Sequence, residues 1–322
     1  MPEHAPRYLE REPIVHRTAL VVGSASGIGR AITETLAHDP YFSAVIAADI
    51  NPSVYGIYHE EVHPTVTPIE LDIRDSDQIS DVVKEALILT GGIDVLINSA
   101  GVINRGRWET YFQDGIPTAD FDVQWETNLM GPLTLMHTVL PHMREQGGGT
   151  VINISSLKYA APDPFSQVYG HVKHLFARAT HENRKRELAH GIRIVDVQPG
   201  AHQTGIDRGI WTKGGDVHER RAAQFLYCYF RDTTGSAPDN VAQTVQKIAR
   251  GDIDRERVLI GWDANLCVTL YDHFPYWEQL FQKGYGLTLK AVDKGFELVG
   301  DDAYAVISSR HPDWHLPRVD EF

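Results

Sequence analysis

The sequence predicts an α/β protein: a doubly wound parallel sheet with helices on both faces and extra helices at the C-terminus. Short apolar segments alternate along the chain with longer segments of mixed polarity. The apolar segments are hydrophobic on both faces, as strands are when helices cover a parallel sheet on each side. Such alternation predicts βαβ units with right-handed crossovers, and hence one continuous sheet.

Six strands and four helices are predicted before residue 200. The strands are Thr18–Val22, Ala44–Ala48, Val66–Leu71, Val95–Asn98, Gly149–Ile154 and Ile192–Val197. The helices are Ile28–His38, Ser76–Leu89, Phe121–Arg144 and Gln167–Ala189. The pattern loosens after Gly205, where a helix is predicted at Ala237–Arg250 and a last strand at Arg257–Ile260. Two or three further helices are expected within residues 263–322.

The composition excludes several classes of function. With 30 Lys and Arg against 43 Asp and Glu, the net charge is −13, which argues against a nucleic-acid partner because such binding relies on cation–phosphate contacts. Two cysteines are too few for a disulfide framework or a Cys-rich zinc site. No apolar run reaches the roughly 18 residues of a membrane span, and the first ten residues lack the apolar core of a secretory signal. We therefore expect a cytoplasmic protein that acts on a small molecule.

A glycine-rich turn follows the first predicted strand. The residues Gly23-Ser24-Ala25-Ser26-Gly27-Ile28-Gly29 connect this strand to a helix, an arrangement typical of dinucleotide binding because glycines let the backbone approach a pyrophosphate at the helix N-terminus. Asp49 ends the second strand, 20 residues after Gly29. A carboxylate there accepts hydrogen bonds from the adenosine ribose and repels a 2′-phosphate, which favours NAD over NADP. A helix N-cap or a turn residue is the alternative interpretation of Asp49.

More polar residues follow the later strands. Asn98-Ser99-Ala100-Gly101 ends the fourth strand, and Ser156 ends the fifth. Tyr169 and Lys173 are four residues apart, so both project from one face of a helix. Ser156 precedes Tyr169 by 13 residues, which is enough for a loop to return it to that face.

Taken in order, these elements resemble the short-chain dehydrogenase/reductase family. The matching residues are Gly23-x-x-x-Gly27-x-Gly29, Asn98-Ser99-Ala100-Gly101, Asn128, Ser156, Tyr169-x-x-x-Lys173 and Pro199-Gly200. The resemblance is strong over about residues 15–204 and loose over 205–261. It implies a Rossmann-like fold, a nicotinamide cofactor, and a homodimer or homotetramer in which the helices near 121–144 and 167–189 pair across a two-fold axis.

The resemblance also implies roles for four catalytic residues. Tyr169 would exchange a proton with the substrate oxygen, and Ser156 would hydrogen-bond the same oxygen. Lys173 would hold the nicotinamide ribose, and Asn128 would hold a water that links Lys173 to solvent. Because a nearby cation lowers the pKa of a phenol, ordinarily about 10, we expect Lys173 to bring the pKa of Tyr169 towards neutrality.

The expected cofactor is NAD, and no metal is expected. The candidate cofactor-binding residues are Gly23, Ser26, Gly27, Ile28, Gly29, Asp49, Asp72, Asn98, Ala100, Gly101, Tyr169, Lys173, Pro199, Gly200 and Thr204. Hydride passes directly between the substrate and the nicotinamide, so this reaction requires no metal. The chain has 16 histidines but no His-Glu-x-x-His pattern, which favours packed or solvated histidines.

The same elements predict the domain organisation. Residues 1–13 are expected to be a surface tail. Residues 14–261 are expected to form a dinucleotide-binding catalytic domain, with a substrate segment at about 200–236. Residues 262–322 are expected to be a helical extension packed on this domain.

The expected activity is NAD(H)-dependent interconversion of a secondary alcohol and a ketone. Aromatic residues are concentrated in the segment 205–285, which favours an apolar substrate such as a steroid-, terpene- or lipid-like alcohol, although core packing explains most of them. A sugar or polyol dehydrogenase and a non-catalytic NAD-binding regulator are the alternatives. A sugar-nucleotide epimerase is disfavoured because Ser26 stands where the middle glycine of that branch would fall.

Overall fold

The computed structural model describes residues 17–294 apart from 162, 207–216, 275, 278, 289 and 293. Its strands are β1 (Arg17–Val22), β2 (Phe42–Asp49), β3 (Val66–Glu70), β4 (Val95–Asn98), β5 (Phe112–Gln113), β6 (Ile116–Pro117), β7 (Gly149–Ile154), β8 (Ile192–Pro199) and β9 (Arg257–Ile260). Its α-helices are α1 (Gly27–Ala37), α2 (Val54–Ile57), α3 (Ser76–Thr90), α4 (Ala119–Trp125), α5 (Gly131–Glu145), α6 (Gln167–Glu187), α7 (Val217–Thr234), α8 (Asp239–Arg250) and α9 (Trp262–His273).

Within these residues, one parallel sheet of seven strands has the order β3-β2-β1-β4-β7-β8-β9. The order reverses between β1 and β4, which are hydrogen-bonded neighbours. In open sheets of this kind, ligands bind outside the carboxyl ends of the strands at such a reversal. The predicted doubly wound, Rossmann-like fold is therefore confirmed.

An apolar layer on each face of the sheet packs against the helices that cover that face. Alternate residues of a strand face opposite sides, so Ala19 and Val21 of β1 pack in the layer with α1 and α8. Leu20 and Val22 pack in the layer with α3 and α5. These strand residues are at most 1% exposed, which explains why the strands are apolar on both faces.

The helix predicted at Phe121–Arg144 is divided into three pieces. A π-helical turn, Glu126–Met130, separates α4 from α5. At the junction, Gly131 lies so close to the chain that a Cβ atom there would stand 2.5 Å from the carbonyl oxygen of Ile73. The wider turn brings Asn128 to a fully buried position.

The segment after Gly205 contains a helix that the sequence did not predict. Helix α7 includes the whole aromatic run Phe225–Phe230. The predicted C-terminal helices include α9, whose residues Ala264 and Val268 pack against Leu157 in a buried cluster; residues 279–288 are helical as well.

Several predictions fall outside the described residues: the tail at 1–13, part of the substrate segment, and the extension beyond residue 294. The domain boundaries therefore stay predictions. In the part of the chain that the structure describes, no helix combines the length and apolar character needed to cross a membrane.

Candidate active site

A cavity of about 820 Å³ opens at the carboxyl ends of the central strands. All but two of the predicted site residues line it. They are Gly23, Ser26, Gly27, Ile28, Gly29, Asp49, Asp72, Ala100, Gly101, Ser156, Tyr169, Lys173, Pro199, Gly200 and Thr204. Residues from seven separate segments of the sequence thus meet in one place, as the topological reversal of the sheet requires.

The glycine turn packs directly against the loop that follows β4. Gly23 has φ 89°, and a Cβ atom there would stand 2.5 Å from the backbone nitrogen of Ala100. A Cβ on Gly29 would stand 1.9 Å from the carbonyl oxygen of Gly23. Both positions need glycine, the first also because of its left-handed backbone. The buried Tyr58 hydroxyl donates a 2.7 Å hydrogen bond to the Ser24 carbonyl and holds the turn from outside.

Asp49 has both a cavity-lining position and a structural role. One carboxylate oxygen accepts the backbone N–H of Ala25 and the other accepts that of Asn51, each at 2.8 Å. The carboxylate is therefore fixed in orientation at the end of β2, and its remaining lone pairs can accept hydrogen bonds from ribose hydroxyls.

A second carboxylate, Asp72, lines the same end of the cavity and pairs with Arg74 at 2.6 Å. Hydrogen bonds from Arg74 keep the pKa of Asp72 below its usual value. Arg74 was not predicted as a site residue, although it lines the cavity, because only the fold of the β3–α3 loop turns it back onto Asp72. The pair is electrically neutral.

Asn98 and Asn128 lie behind the cavity wall and hold its backbone. The Asn98 amide donates to Asn153 at 2.8 Å, joining the ends of β4 and β7. Asn128 donates to the carbonyl of Val102 at 2.8 Å and accepts the Val102 N–H at 3.1 Å. This two-point contact fixes the loop beside Gly101, where a Cβ atom would stand 3.0 Å from Asn128 Oδ1 and 3.5 Å from Lys173 Nζ.

Ser156, Tyr169 and Lys173 are brought together by the loop between β7 and α6. Lys173 Nζ lies 5.9 Å from the centre of the Tyr169 ring and donates to the Ile154 carbonyl at 3.1 Å. Tyr169 is 7% exposed and Lys173 is 4% exposed. Ser156 hydrogen-bonds with Tyr169, and all three side chains line the cavity.

The pKa of Tyr169 differs from the expectation. Burial raises it to about 12, and a hydrogen bond with Ser156 acts in the opposite direction. Burial also lowers the pKa of Lys173 to about 8. Desolvation is therefore the largest effect on each group, because its charged form loses its water. The phenol is protonated at neutral pH.

A buried carboxylate near Lys173 was missed in the sequence. Asp196 lies in β8, where it accepts hydrogen bonds from the Ser155 hydroxyl and the Gln198 amide. Burial raises its pKa to about 6, and its charge raises the pKa of Lys173. In the sequence it is an acidic residue within an otherwise largely apolar strand, which was the available signal.

The loop after β8 is held by the C-terminal part of the chain. Asp263, at the start of α9, accepts the Ala201 N–H at 2.6 Å. A Cβ atom on Gly200 would stand 1.9 Å from the same carboxylate. On its other side the loop contacts the glycine turn, since a Cβ on Gly27 would lie 3.3 Å from Thr204 Cβ.

The end of the cavity beyond Tyr169 is largely apolar. Its aromatic lining residues are Tyr227, Phe230, Trp262, Trp277, Phe281 and Tyr285. These belong to the aromatic-rich segment that the sequence associated with an apolar pocket. Lys158 and Asp163, which lie in the loop between β7 and α6, also line this end and were not predicted.

The cleft fits a nicotinamide dinucleotide. Close-packed glycines form the turn before α1, and the Ser26 side chain makes no capping hydrogen bond within the described residues. The helix N-terminus is thus open to an anion such as a pyrophosphate. Asp49 stands at one end of the cleft and Lys173 at the other, where they can receive the two riboses.

Comparison with known proteins agrees with this geometry. An uncharacterised oxidoreductase from Staphylococcus aureus strain MW2 is 27% identical over 193 residues, which are 60% of this chain and 81% of that protein. The uncharacterised oxidoreductase YusZ from Bacillus subtilis strain 168 is 26% identical over 282 residues, 83% of this chain and 98% of its own. The crystal structure of a short-chain dehydrogenase from Streptomyces avermitilis has the same fold, with a TM-score of 0.66, 24% identity, and coverage of 88% of this chain and 97% of that one.

The family model for short chain dehydrogenases matches residues 17–214, more than half of the chain. This span runs from β1 through the loop after β8 and includes every predicted site residue. The chain therefore belongs to the short-chain dehydrogenase/reductase family, and it is an oxidoreductase of a family that binds a nicotinamide cofactor.

Proposed function

We propose that this protein is an NAD(H)-dependent oxidoreductase that interconverts a secondary alcohol and a ketone on a substrate with a largely apolar body. The observation that supports it most directly is that Ser156, Tyr169 and Lys173 line the same cavity as the glycine turn and Asp49. A proton donor and a dinucleotide cleft thus open onto one space, as direct hydride transfer requires.

In ketone reduction, Tyr169 acts as the general acid. Its raised pKa keeps the phenol protonated at neutral pH, so it can donate that proton to the carbonyl oxygen as negative charge develops there. Ser156 donates a hydrogen bond to the same oxygen. The bound cofactor supplies the hydride. Lys173, with a pKa of about 8, is able to release and regain a proton near neutral pH and thereby reprotonate Tyr169; alcohol oxidation reverses these steps.

Asp49 supports NAD rather than NADP. Its carboxylate faces the cleft in an orientation fixed by two backbone N–H groups, and it would stand against a 2′-phosphate of the same sign. The cation that lines this end of the cleft, Arg74, is already paired with Asp72. A 2′-phosphate would have to break that pair to gain a partner.

The apolar lining supports an apolar substrate body over a sugar or polyol, whose hydroxyl groups would need several polar partners. A non-catalytic NAD-binding regulator has less support, because all four candidate catalytic residues are present and Ser156, Tyr169 and Lys173 line the cavity. A cytoplasmic location and a homo-oligomeric state stay predictions.

The test measures cofactor binding and turnover separately. NADH binding is followed by fluorescence, and NAD reduction is then measured with secondary alcohols of increasing apolar size. Tyr169→Phe should bind NADH like the unmodified protein but lose roughly 10²–10⁴-fold in turnover, the usual contribution of a general acid. NADH binding without turnover of any alcohol or ketone would favour the regulator, and near-normal turnover by Tyr169→Phe would remove Tyr169 from its role.

A further inference from the structure

A group of three charged residues, two of them buried, borders the substrate end of the cavity: Arg105, Lys158 and Asp163, which we call the charged triad. The backbone of Lys158 lies next to the reacting groups, because its N–H donates to the Ser156 hydroxyl at 3.2 Å. Its ammonium reaches Asp163 at 2.7 Å. Lys158 and Asp163 line the cavity, whereas Arg105 stands behind the wall.

Asp163 is the shared partner of both cations. Besides Lys158, its carboxylate accepts the Ser166 hydroxyl at 2.6 Å and the Phe165 N–H at 3.0 Å. Arg105 Nη2 lies 3.8 Å from it, within ion-pair range but beyond a hydrogen bond. Asp163 is 1% exposed, and the two cations hold its pKa well below the usual range despite burial.

Arg105 is poorly satisfied for a buried guanidinium. It is 1% exposed, and it donates a long hydrogen bond of 3.4 Å to the side-chain oxygen of Gln224 and interacts with the Tyr285 hydroxyl. Nε and Nη2 have no hydrogen-bond partner among the described residues. The guanidinium stacks 4.3 Å from the centre of the Tyr227 ring, and Tyr227 lines the cavity. Burial without strong hydrogen bonds is costly for a cation.

The charged triad has two positive charges and one negative charge. Two other charged residues that line the cavity have partners of their own. Arg231 pairs with Asp232 at 2.6 Å, and Asp263 accepts the Ala201 N–H. The three residues of the triad therefore sum to one positive charge beside an apolar space, where interactions between charges are stronger than in water. The nearest other carboxylate lining the cavity, Asp263, is held at the loop after β8.

We propose that the substrate has one anionic group, a carboxylate or a phosphate ester, in addition to its apolar body, and that Lys158 binds it. The side chain of Lys158 is 24% exposed, and its ammonium lies 5.9 Å from the centre of the same Tyr227 ring. The Lys158 ammonium has three N–H donors and uses one of them on Asp163 at 2.7 Å, so it can bind an anion without leaving that carboxylate. Arg105 acts as a positioning residue, because its charge 3.8 Å from Asp163 shares in balancing the carboxylate. The inference rests on the proposed function, since it describes the substrate of that site.

Binding of small amphiphiles tests the inference without requiring turnover. Calorimetry compares octanoate and octyl phosphate with octanamide, using the full chain both without cofactor and with NADH. We expect at least one anion to bind roughly tenfold more tightly than the neutral amide, because a charge-assisted hydrogen bond is about twice as strong as a neutral one. If octanoate binds more tightly, the substrate's anionic group is a carboxylate; if octyl phosphate binds more tightly, it is a phosphate ester.

Substitutions in the charged triad test whether it causes the preference for anions over the neutral amide. Lys158→Met should remove the anion's advantage and Lys158→Arg should keep it. Lys84→Met, which removes the same charge from an exposed position on α3, should have no effect. Asp163→Asn should increase the advantage by removing the competing carboxylate. Melting curves confirm that each variant is folded, and the Asp163 and Lys158→Arg variants decide the matter if Lys158→Met does not fold.

Equal binding of anion and amide by the unmodified protein, no binding of either, or an unchanged preference in a folded Lys158→Met variant would overturn the inference. These outcomes are distinct from failure of the proposed function, which appears as absence of NADH binding or of turnover on neutral alcohols. A protein that oxidises neutral alcohols without preferring anions has the proposed function and not this substrate class.

Discussion

At the scale of single residues, burial determines the protonation of the site. Burial shifts Tyr169 and Lys173 towards their neutral forms: the pKa of the phenol rises to about 12, and the pKa of the ammonium falls to about 8. The neutral phenol is the form that donates a proton to a ketone. The lysine is held close to its own titration point, where exchange of a proton costs little free energy at neutral pH.

Asp196 provides a prediction for stability against pH. Its folded pKa of about 6 is above the ordinary 3.8, so its ionised form is disfavoured in the folded state. At a pH above both pKa values, this difference lowers the free energy of unfolding by about 2–3 kcal/mol. The loss of stability disappears as the pH falls from about 6 towards 3.8. Asp196→Asn should therefore raise the melting temperature at neutral pH and lose this advantage in acid.

Melting curves of both proteins across that pH range measure this effect. Asp254→Asn, at an exposed carboxylate, is the control and should show no such dependence. A melting-temperature difference between Asp196→Asn and the unmodified protein that stays constant with pH would contradict the prediction.

Asp49 provides a prediction for cofactor choice. We expect NAD to exceed NADP by at least about a hundredfold in kcat/KM, because a lost charged hydrogen bond and like-charge repulsion together cost several kcal/mol, at roughly 1.4 kcal/mol per decade. Asp49→Ser should lower the ratio of kcat/KM for NAD to that for NADP, mainly because NAD binds more weakly. Asp49→Asn separates charge from shape, since its amide oxygen can still accept the Ala25 N–H.

Steady-state kinetics with both cofactors measure the ratio. Asp72→Asn should narrow it by a different route, improving kcat/KM for NADP and leaving that for NAD nearly unchanged, because it releases Arg74 from its pair. Equal use of NAD and NADP by the unmodified protein would remove Asp49 from its proposed role.

Much of the site was predictable from single residues, and the exceptions have a common cause. Ser156, Tyr169 and Lys173 have spacings that a strand end and one helical face determine directly. Lys158 and Asp163 are five residues apart in a loop, and no period determines whether their side chains meet. Asn128 was predicted as a site residue, yet its contacts with Val102 depend on a π-helical turn that the helical pattern did not indicate.

At the scale of elements, the main feature that the sequence did not predict is α7. Its aromatic run Phe225–Phe230 is apolar or aromatic at every position, a pattern that suits a strand or a helix equally. The helix is instead determined by tertiary packing, with Ala222, Ala223 and Leu226 buried against Phe165. The central strands were predicted closely because each is apolar on both faces and bounded by polar residues.

The contact between α9 and the loop after β8 provides a prediction at this scale. Asp263 accepts the Ala201 N–H and fills the space beside Gly200. Asp263→Ala leaves a part-buried donor without its acceptor, at a cost of about 1–3 kcal/mol, and loosens the loop at the nicotinamide end. We expect roughly tenfold or more weaker NADH binding, with Asp263→Asn intermediate because it keeps an acceptor oxygen.

Fluorescence titration gives the NADH dissociation constants. Asp272→Ala is the matched control. It removes the same charge from the same helix, but Asp272 pairs with Arg257 and not with the loop after β8. Equal NADH affinity in Asp263→Ala and the unmodified protein would show that α9 does not position this loop.

At the scale of the whole molecule, the two helices expected to form a symmetric interface lie side by side. Arg144 near the end of α5 donates to Glu187 at the end of α6 at 2.8 Å. Along α6, His171, Leu175, Arg178 and Glu182 are exposed at intervals of three and four residues, which places them on one helical face. Leu175 is 44% exposed there, and Met130, just before α5, is 45% exposed.

This exposed face supports the predicted homodimer or homotetramer. In a two-fold interface the same patch meets its own copy, so a single substitution acts twice. Leu175→Glu brings two carboxylates together at the interface and should lower the mass measured by light scattering from a multiple of 36.1 kDa to the monomer value. Ile88→Glu, at an 82% exposed position on α3, should leave the mass unchanged because α3 is not part of the expected interface. An unmodified protein that is monomeric at micromolar concentration would contradict the prediction and indicate that this face of α6 is simply solvated.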